Sequence, residues 1–582
     1  MTITRYLAFV GPPEQLAALD RHAARFAQGH GLECVLDASG ARVFASGGRA
    51  IGTGPGGVIL GTLFPREPGT APISALDPAT AGRLARDSGA LITGHWGAYV
   101  AIQAGSGTAS LLRAPLGELG CYYWSDGALV IAASDMALLA GWAGQVPAVD
   151  WEAVGRHLLA SELRTAATCL SGIRELPGGE RLTIGAGELR TETLWSPWCF
   201  IAPPHALRSY EDAAAALHAT ATDCVGRWGG RFGRVLVGLS GGLDSSIVAA
   251  SLAQAHVPFD CVTFVTDDAM GDERPFARAV AAHLGVTLVE VFRELRGIDL
   301  SRSNAAHLPR PTGRAFAQES ERIGLAAARA CGADAIFRGG GGDNVFCYLQ
   351  SVRPIVDRIR SEGWGSGVLE SALDVCRLTG SSFGTVAACT LRQLRRPARY
   401  PFPAETSLLA RERAAAVEEV PPHRWLEPPP GTLPGKAAHV ALLLAMANHM
   451  EPLAPELGMP LLSPLMSQPL VELCLGIPSW WWCRGGNNRM VARRAFAGDL
   501  PVSVIARRGK GTPDAFAIAL FEANRAQLRE LLLDGLLARH GLIDAVAVEA
   551  ALADQRPIAG HGYSRILQLA DVEAWARSWT AR

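Results

Sequence analysis

A chain of 582 residues with 54 basic and 55 acidic side chains carries a net charge of −1, which excludes a broad electrostatic footprint for nucleic acid or an anionic membrane. Its length exceeds the roughly 250 to 300 residues that one core can hold, so more than one domain is expected. The 12 cysteines form no C-x-x-C pair and no regular spacing, which argues against a disulfide framework or a zinc site and suits a reducing, cytoplasmic compartment.

Residues 1–10 read as a strand too short for a signal-peptide core, and no stretch approaches the ~18 uncharged apolar residues of a membrane span. Short β-type runs at 58–61, 98–102, 109–113 and 129–133 are separated by glycine-rich turns, the pattern of stacked antiparallel sheets in an α+β domain over residues 1–200. Prolines at Trp195-Ser196-Pro197-Trp198 and Ala202-Pro203-Pro204 mark a linker. A second domain over residues 208–582 then opens with a helix around 210–225.

The most informative stretch follows. Val235-Leu236-Val237-Gly238-Leu239 runs into Ser240-Gly241-Gly242-Leu243-Asp244-Ser245-Ser246 and then into Ile247-Val248-Ala249-Ala250, a buried strand turning through glycines into a helix. Such a turn is a cradle for pyrophosphate: glycines let backbone N–H groups approach an anion, and the helix N-terminus adds partial positive charge. The hydroxyls of Ser240, Ser245 and Ser246 can donate to phosphate oxygens, and Asp244 is placed to hold the magnesium ion that accompanies ATP. The heptad lacks the Gly-Lys-Ser/Thr ending of a Walker loop.

Strands at 261–265, 287–292 and 335–337 alternate with helices, one marked by Phe276, Val280 and Leu284 and another spanning 320–331. Repeated βα units predict a parallel sheet with helices on both faces and ligands at the carboxyl ends of the strands. Both glycine-rich loops, the heptad and Arg338-Gly339-Gly340-Gly341-Gly342-Asp343-Asn344, fall there. Nine prolines between 395 and 434 predict a mobile excursion, with a lid, a docking surface and a solvated insertion all left open. The remainder reads as mainly helical, including 437–449 and 488–496. Arg489 and Arg493 then share a helix face, either meeting phosphate or an acidic substrate or lying on the surface. Trp480, Trp481 and Trp482 cannot share one face, so some of them are core.

The heptad 240–246 resembles the PP-loop of ATP pyrophosphatases, and the whole chain resembles the asparagine synthetase family. There an N-terminal glutaminase-like domain of the Ntn type, built of stacked sheets, precedes an α/β PP-loop synthetase domain with a parallel sheet and a helical C-terminal part. The motifs that carry the resemblance are the PP-loop, Asp272-Glu273, the turn ending Asp343-Asn344, Pro464-Leu465-Met466-Ser467, Arg489 with Arg493, and Arg507-Arg508-Gly509-Lys510-Gly511. In the first domain they are Gly94-His95-Trp96-Gly97-Ala98-Tyr99, Arg113-Ala114-Pro115-Leu116-Gly117 and Ala133-Ser134-Asp135. The resemblance implies that Ser240, Gly241, Gly242, Ser245 and Ser246 hold phosphates and that Leu239, Thr266, Gly339 and Gly340 border the nucleotide. It further implies that Asp244 and Asp343 bind Mg2+, and that Lys510 stabilises charge in the transition state. Arg338 departs from the pattern, standing where relatives usually have serine.

The first domain departs more seriously. A working glutaminase uses a cysteine exposed after removal of Met1, whereas position 2 is Thr2 and the first cysteine is Cys34. Gly61-Thr62-Leu63 stands in place of the Asn-Gly-Glu stretch. Without nucleophile and oxyanion donor a degenerate scaffold domain that supplies no ammonia is expected, with Thr2 beginning an edge strand rather than acting as a threonine nucleophile. The amine must then belong to the substrate. That implies the ring-closing branch of the family, which includes β-lactam, carbapenam and lasso-peptide macrolactam synthetases. Residues 340–346, 469–474 and 478–489 look most like the last of these. The implied chemistry is amide formation from ATP through an acyl adenylate on a precursor peptide, with a leader protease and a peptide-recognition protein as partners. A small-molecule synthetase, using free ammonia or closing a β-lactam, and an inactive scaffold homologue are the alternatives.

Overall fold

Alternation along the first strand decides the layering of the N-terminal part. The computed structural model describes residues 3–46, 50–105, 107–185, 188–201, 207, 209–266, 271–416, 422–509, 514–554, 556 and 562–580. In β1 (Tyr6–Val10), Tyr6, Ala8 and Val10 enter one apolar cluster and Leu7 and Phe9 another, as a period of two requires when both faces are covered. The strands that follow are β2 (Glu33–Ala38), β3 (Ala41–Ala45), β4 (Ala50–Gly52), β5 (Gly57–Pro65), β6 (His95–Ala104), β7 (Thr108–Arg113), β8 (Tyr122–Asp126), β9 (Leu129–Ala133), β10 (Arg174–Glu175), β11 (Glu180–Gly185) and β12 (Glu188–Thr193). They form two antiparallel six-stranded sheets, ordered β10-β8-β9-β1-β3-β2 and β12-β11-β7-β6-β5-β4.

Tyr6, Ala8 and Val10 meet Val58, Leu60, Val100, Ile102 and Leu111 between the sheets. The outer face of the first sheet joins Leu7 and Phe9 to Trp575 and Trp579 of the C-terminal helix Gly562–Thr580. The outer face of the second joins Ile59, Leu63 and Trp96 to the helix Tyr210–Gly229 and to Val235 and Val237. β1 lies between β9 and β3, so the N-terminal strand is interior rather than an edge; Thr2 itself lies outside the described residues. Gly61-Thr62-Leu63 lies within β5, with Thr62 and Leu63 buried.

The second part contains β13 (Val235–Gly238), β14 (Phe259–Val265), β15 (Leu288–Phe292), β16 (Ala335–Arg338) and β17 (Leu461–Leu462), all parallel in the order β15-β14-β13-β16-β17. Helices Leu243–Gln254 and Arg274–Leu284 cover one face and Ala315–Ala330 the other. Register pairs Gly238 with both Val262 and Arg338. The chain leaves β13 toward β14 on one side while β16 lies on the other, which opens a crevice at the strand ends.

The proline-rich excursion is not the free segment its composition predicts. Glu405 N–H donates to Leu159 O at 2.9 Å, Ala410 N–H to Leu542 O at 3.1 Å, and Leu409 bridges Ile543. Leu426 is buried with Leu163 and Leu444, and Trp198 Nε1 donates to Arg424 O at 3.0 Å. Prolines remove N–H donors but leave carbonyls and apolar rings free to pack, so a chain too irregular for a helix still docks. Residues 417–421 lie outside the described set. Among the described residues no helix is long and apolar enough to cross a membrane, and the cysteines are free.

Candidate nucleotide site

Gly241 takes φ +64°, and a Cβ there would stand 2.4 Å from Phe276 Cβ, so the turn out of β13 admits only glycine. The two glycine loops also touch. A Cβ on Gly339 would lie 2.5 Å from Ser245 N, which is how closely the parallel register draws the second loop onto the first. Ser240 N–H donates to Ser245 Oγ at 3.2 Å and Gly242 N–H to Ser240 Oγ at 3.3 Å. Ser246 turns its hydroxyl inward, donating to Gly242 O at 2.8 Å.

A cavity of about 220 Å³ opens in front of this turn, bordered by Ser240, Gly242, Asp244, Ser245, Gly339, Gly340, Arg489, Arg493 and Arg507. No side chain caps the helix Leu243–Gln254, so its first N–H groups face a space walled by guanidinium groups. Orphan donors, a helix dipole and guanidinium groups make an anion site, and a polyphosphate is an anion that such a glycine turn receives. Leu239 and Thr266 lie at the ends of neighbouring strands. Leu239 is buried in the core with its N–H on Val262 O at 2.8 Å, and Thr266 directly follows β14. Neither borders the cavity.

The arginines belong to the interior. Arg489 Nη1 lies 2.8 Å from Asp244 Oδ2 and 2.5 Å from Asp343 Oδ1, with its guanidinium 5.5 Å from the Tyr348 ring centroid. It is not on the helix face that its spacing from Arg493 predicts: Arg489 precedes the helix Met490–Ala495 in a left-handed conformation, φ +53°. Asn488 Oδ1 accepts from both arginines, from Arg489 Nε at 3.0 Å and Arg493 Nη2 at 2.9 Å. Burial, and then the neighbouring Arg489, push Arg493 down to about 10. Arg507 donates to Gly241 O at 3.3 Å and to Glu273 Oε1 at 3.0 Å, with its guanidinium 4.0 Å from the Phe276 ring centroid.

Two carboxylates converging on one cation are an oxygen set of the kind magnesium takes, completed elsewhere by phosphates and water. Among the described residues no group of three or more His, Cys, Asp or Glu side chains gathers as a metal cage. Lys510 lies outside the described residues, directly after Gly509 on the cavity wall. The bridging of both acids by Arg489 is legible in no periodicity of the sequence; the run Gly485-Gly486-Asn487-Asn488 was the available sign of irregular backbone there.

The remaining motifs serve as backing. Asp272 pairs with Arg274 at 2.8 Å, away from the cavity. Ser467 Oγ accepts from Trp228 Nε1 at 3.1 Å. Arg338 is half-buried, its Nε donating to Ser463 Oγ at 3.0 Å and its Nη2 to His449 O. Trp480 and Trp482 are core, while Trp481 is partly buried against Tyr210 at 6.0 Å.

A second cavity of about 120 Å³ lies between the sandwich and the parallel-sheet part, bordered by Thr4, Gly61, Thr62, Ala98, Ser134 and Asp135 among others. No described residue on its wall is a cysteine.

The chain matches no curated protein. Among solved structures it is similar to the allosteric regulatory enzyme of purine biosynthesis, with 11% identity, a TM-score of 0.21, and coverage of 50% of this chain and 80% of that one. It is similar also to the glutamine phosphoribosylpyrophosphate amidotransferase of B. subtilis, with 11% identity, a TM-score of 0.20, and coverage of 44% and 65%. The family model described as asparagine synthase matches residues 223–577, which span the parallel sheet, both glycine loops and all three arginines. The chain therefore belongs to the asparagine synthase family, ligases that form amide bonds with ATP.

Proposed function

We propose that this ligase closes a macrolactam in a lasso-type ribosomal peptide, joining the N-terminal amine to an Asp or Glu side chain. One observation carries the reading. The phosphate cradle is complete, whereas the cavity of the first domain offers no cysteine among its described residues, so an amine from the substrate fits better than ammonia released from glutamine. The substrate carboxylate attacks the α-phosphorus of ATP and pyrophosphate leaves; the peptide amine then attacks the activated carbonyl and AMP leaves. Ser240, Gly242 and Ser245 bind and orient the phosphates, with Gly241 shaping the turn and Ser246 bracing it through Gly242 O; Gly339 and Gly340 border the same cavity, and the adenosine would extend beyond it toward the strand ends that carry Leu239 and Thr266. Positioning and fixed charge provide the rate enhancement.

Asp244 and Asp343 would hold Mg2+, which supplies neutralisation of phosphate charge. Lys510 stabilises developing negative charge, so its replacement by methionine lowers turnover more than ATP affinity. A precursor peptide, delivered after a leader protease and a recognition protein have acted, is the substrate. The test is mass spectrometry of leaderless precursor incubated with the protein, ATP and magnesium. Loss of one water with release of AMP and pyrophosphate is expected; conversion of ATP to ADP alone overturns the reading.

A further inference from the structure

A third cavity, of about 300 Å³, opens where the two parts of the chain meet. It is bordered by Arg113, Arg164, Glu175 and Thr193 from the N-terminal part and by Arg424 and Ala447 from the synthetase part, and no described residue borders both it and the nucleotide cavity. A buried ionic cluster backs it. Glu175 accepts from Arg113, from Arg164 at 2.5 Å and from Arg310, while Glu451 pairs with Arg164 at 2.8 Å and with Arg310 at 3.3 Å. None of these five side chains is more than 12% exposed, yet they amount to three cations and two anions. A buried cation in excess calls for an anion or for water to reach it.

The donors left over lie on Arg113. Every nitrogen of Arg164 is engaged, Nε and Nη2 by Glu175 and Nη1 by Ala447 O at 2.6 Å. Arg113 uses only Nη1, on Glu175 and on Leu176 O at 3.0 Å. Its Nε and Nη2 bond no described residue and neither is sealed from solvent, so the side chain keeps a pair of N–H donors for the cavity it borders. The rest of the wall carries the same sign. Arg174 and Arg424 are exposed and form no ion pair among the described residues, and the acids beside them are Glu175 and Glu180. Four arginines thus meet two glutamates, burial raises Glu180, and burial pushes His423 down to about 4, leaving it neutral. Arg424 donates to Thr193 Oγ1, which leaves the Thr193 hydroxyl proton free to donate in turn.

We infer that this cavity binds a phosphate-class dianion, held by the Nε–Nη2 edge of Arg113, by Arg174 and Arg424, and by the Thr193 hydroxyl. A doubly charged oxyanion matches an excess of two cations, and the planar edge of a guanidinium receives two oxygens of such a group side by side. The site stands apart from the nucleotide cavity and does not rest on the ring-closing reading. Because Arg113, Arg174 and Thr193 come from the first domain and Arg424 from the second, the anion would bridge them. That gives the first domain a task without glutaminase chemistry.

The experiment is isothermal titration calorimetry of inorganic phosphate into the full chain at neutral pH and constant ionic strength, with succinate as the second probe. Phosphate is expected to bind, and to bind more tightly than succinate. Arg174→Gln and Arg424→Gln, both at exposed side chains, are each expected to weaken phosphate about threefold to fivefold. Arg113→Lys, which keeps a charge beside Glu175 but lacks the Nε–Nη2 edge, is expected to weaken it roughly tenfold; where circular dichroism shows that variant unfolded, the two exposed variants decide alone. Phosphate held in the nucleotide cavity is told apart by Arg507→Gln, which weakens that binding only. No phosphate binding, tighter binding of succinate, loss of all phosphate binding in Arg507→Gln, or unchanged affinity in Arg174→Gln and Arg424→Gln or in folded Arg113→Lys overturns the assignment. ATP–pyrophosphate exchange by the wild-type protein with its peptide reads the proposed function alone, so the two ideas fail separately.

Discussion

Replacing Arg489 by methionine tests the electrostatics of the acid pair. Asp244 and Asp343 both lie within 2.8 Å of Arg489 Nη1, so their carboxylates are at most about 5 Å apart, and two unit charges at that distance repel by roughly 3 kcal/mol at an effective dielectric near 20. Removing one partner of a buried ionic cluster costs about 3–5 kcal/mol. The variant should therefore be markedly less stable in urea without divalent ions. Magnesium binding only to the folded variant at a hundredfold excess over Kd returns about 2.7 kcal/mol. In the wild-type protein without nucleotide the guanidinium already occupies the space between the two carboxylates and offsets half of their charge, so magnesium should change unfolding less and Mn2+ should bind more weakly by electron paramagnetic resonance than in the variant. An equal magnesium response in the two proteins, or equal Mn2+ affinity, refutes the reasoning.

Gly241→Ala forces a left-handed φ on a side chain at a cost of order 1–2 kcal/mol and drives its Cβ against Phe276; ATP–pyrophosphate exchange should fall about tenfold or more while circular dichroism stays unchanged. Glu175 is buried, which disfavours its charge, yet Arg164, Arg310 and Arg113 hold its carboxyl well below the usual range. Glu175→Gln should then lose about 3–5 kcal/mol, measured by urea unfolding near neutral pH. The pair's contribution is complete above the ordinary carboxylate range and disappears as pH falls through the lowered folded value. Asp357 behaves oppositely, because burial raises it from 3.8 to about 6. Between those values the folded protein binds the extra proton, so this group's contribution is lost as pH rises through 6. Asp357→Asn, which can keep partners in Gly435 N–H and Ser479 Oγ, should gain up to about 3 kcal/mol relative to wild type between pH 4 and 7. A constant difference across that range contradicts the sign.

The sequence is most legible where one local pattern suffices. A β-branched run, two glycines and an amphipathic segment place β13, the turn at 240–242 and the helix Leu243–Gln254, because each follows from neighbours in the chain. Short β-type runs between glycine-rich turns likewise reveal β5, β6, β7 and β9. What escapes depends on distant partners. β17 is two residues long and exists only through its pairing with β16. Arg489 was open between surface and ligand because helical spacing cannot foresee a left-handed residue held by Asn488, Asp244 and Asp343. The segment 395–434 read as mobile because prolines abolish regular hydrogen bonding, yet the docking of its described residues relies on Leu159 and Leu542, respectively far upstream and downstream.

The shared apolar cluster of β1 and the C-terminal helix has a consequence for biogenesis. Leu7 and Phe9 leave the ribosome long before Trp575 and Trp579, which share their cluster. At about 5–20 residues per second, translation separates the two by roughly half a minute to two minutes. During that interval the outer face of the first sheet lacks its covering helix and is a natural client for a holdase. A stop codon a few residues before Trp575 should therefore deplete the protein from the cell, read as its steady-state level against wild type.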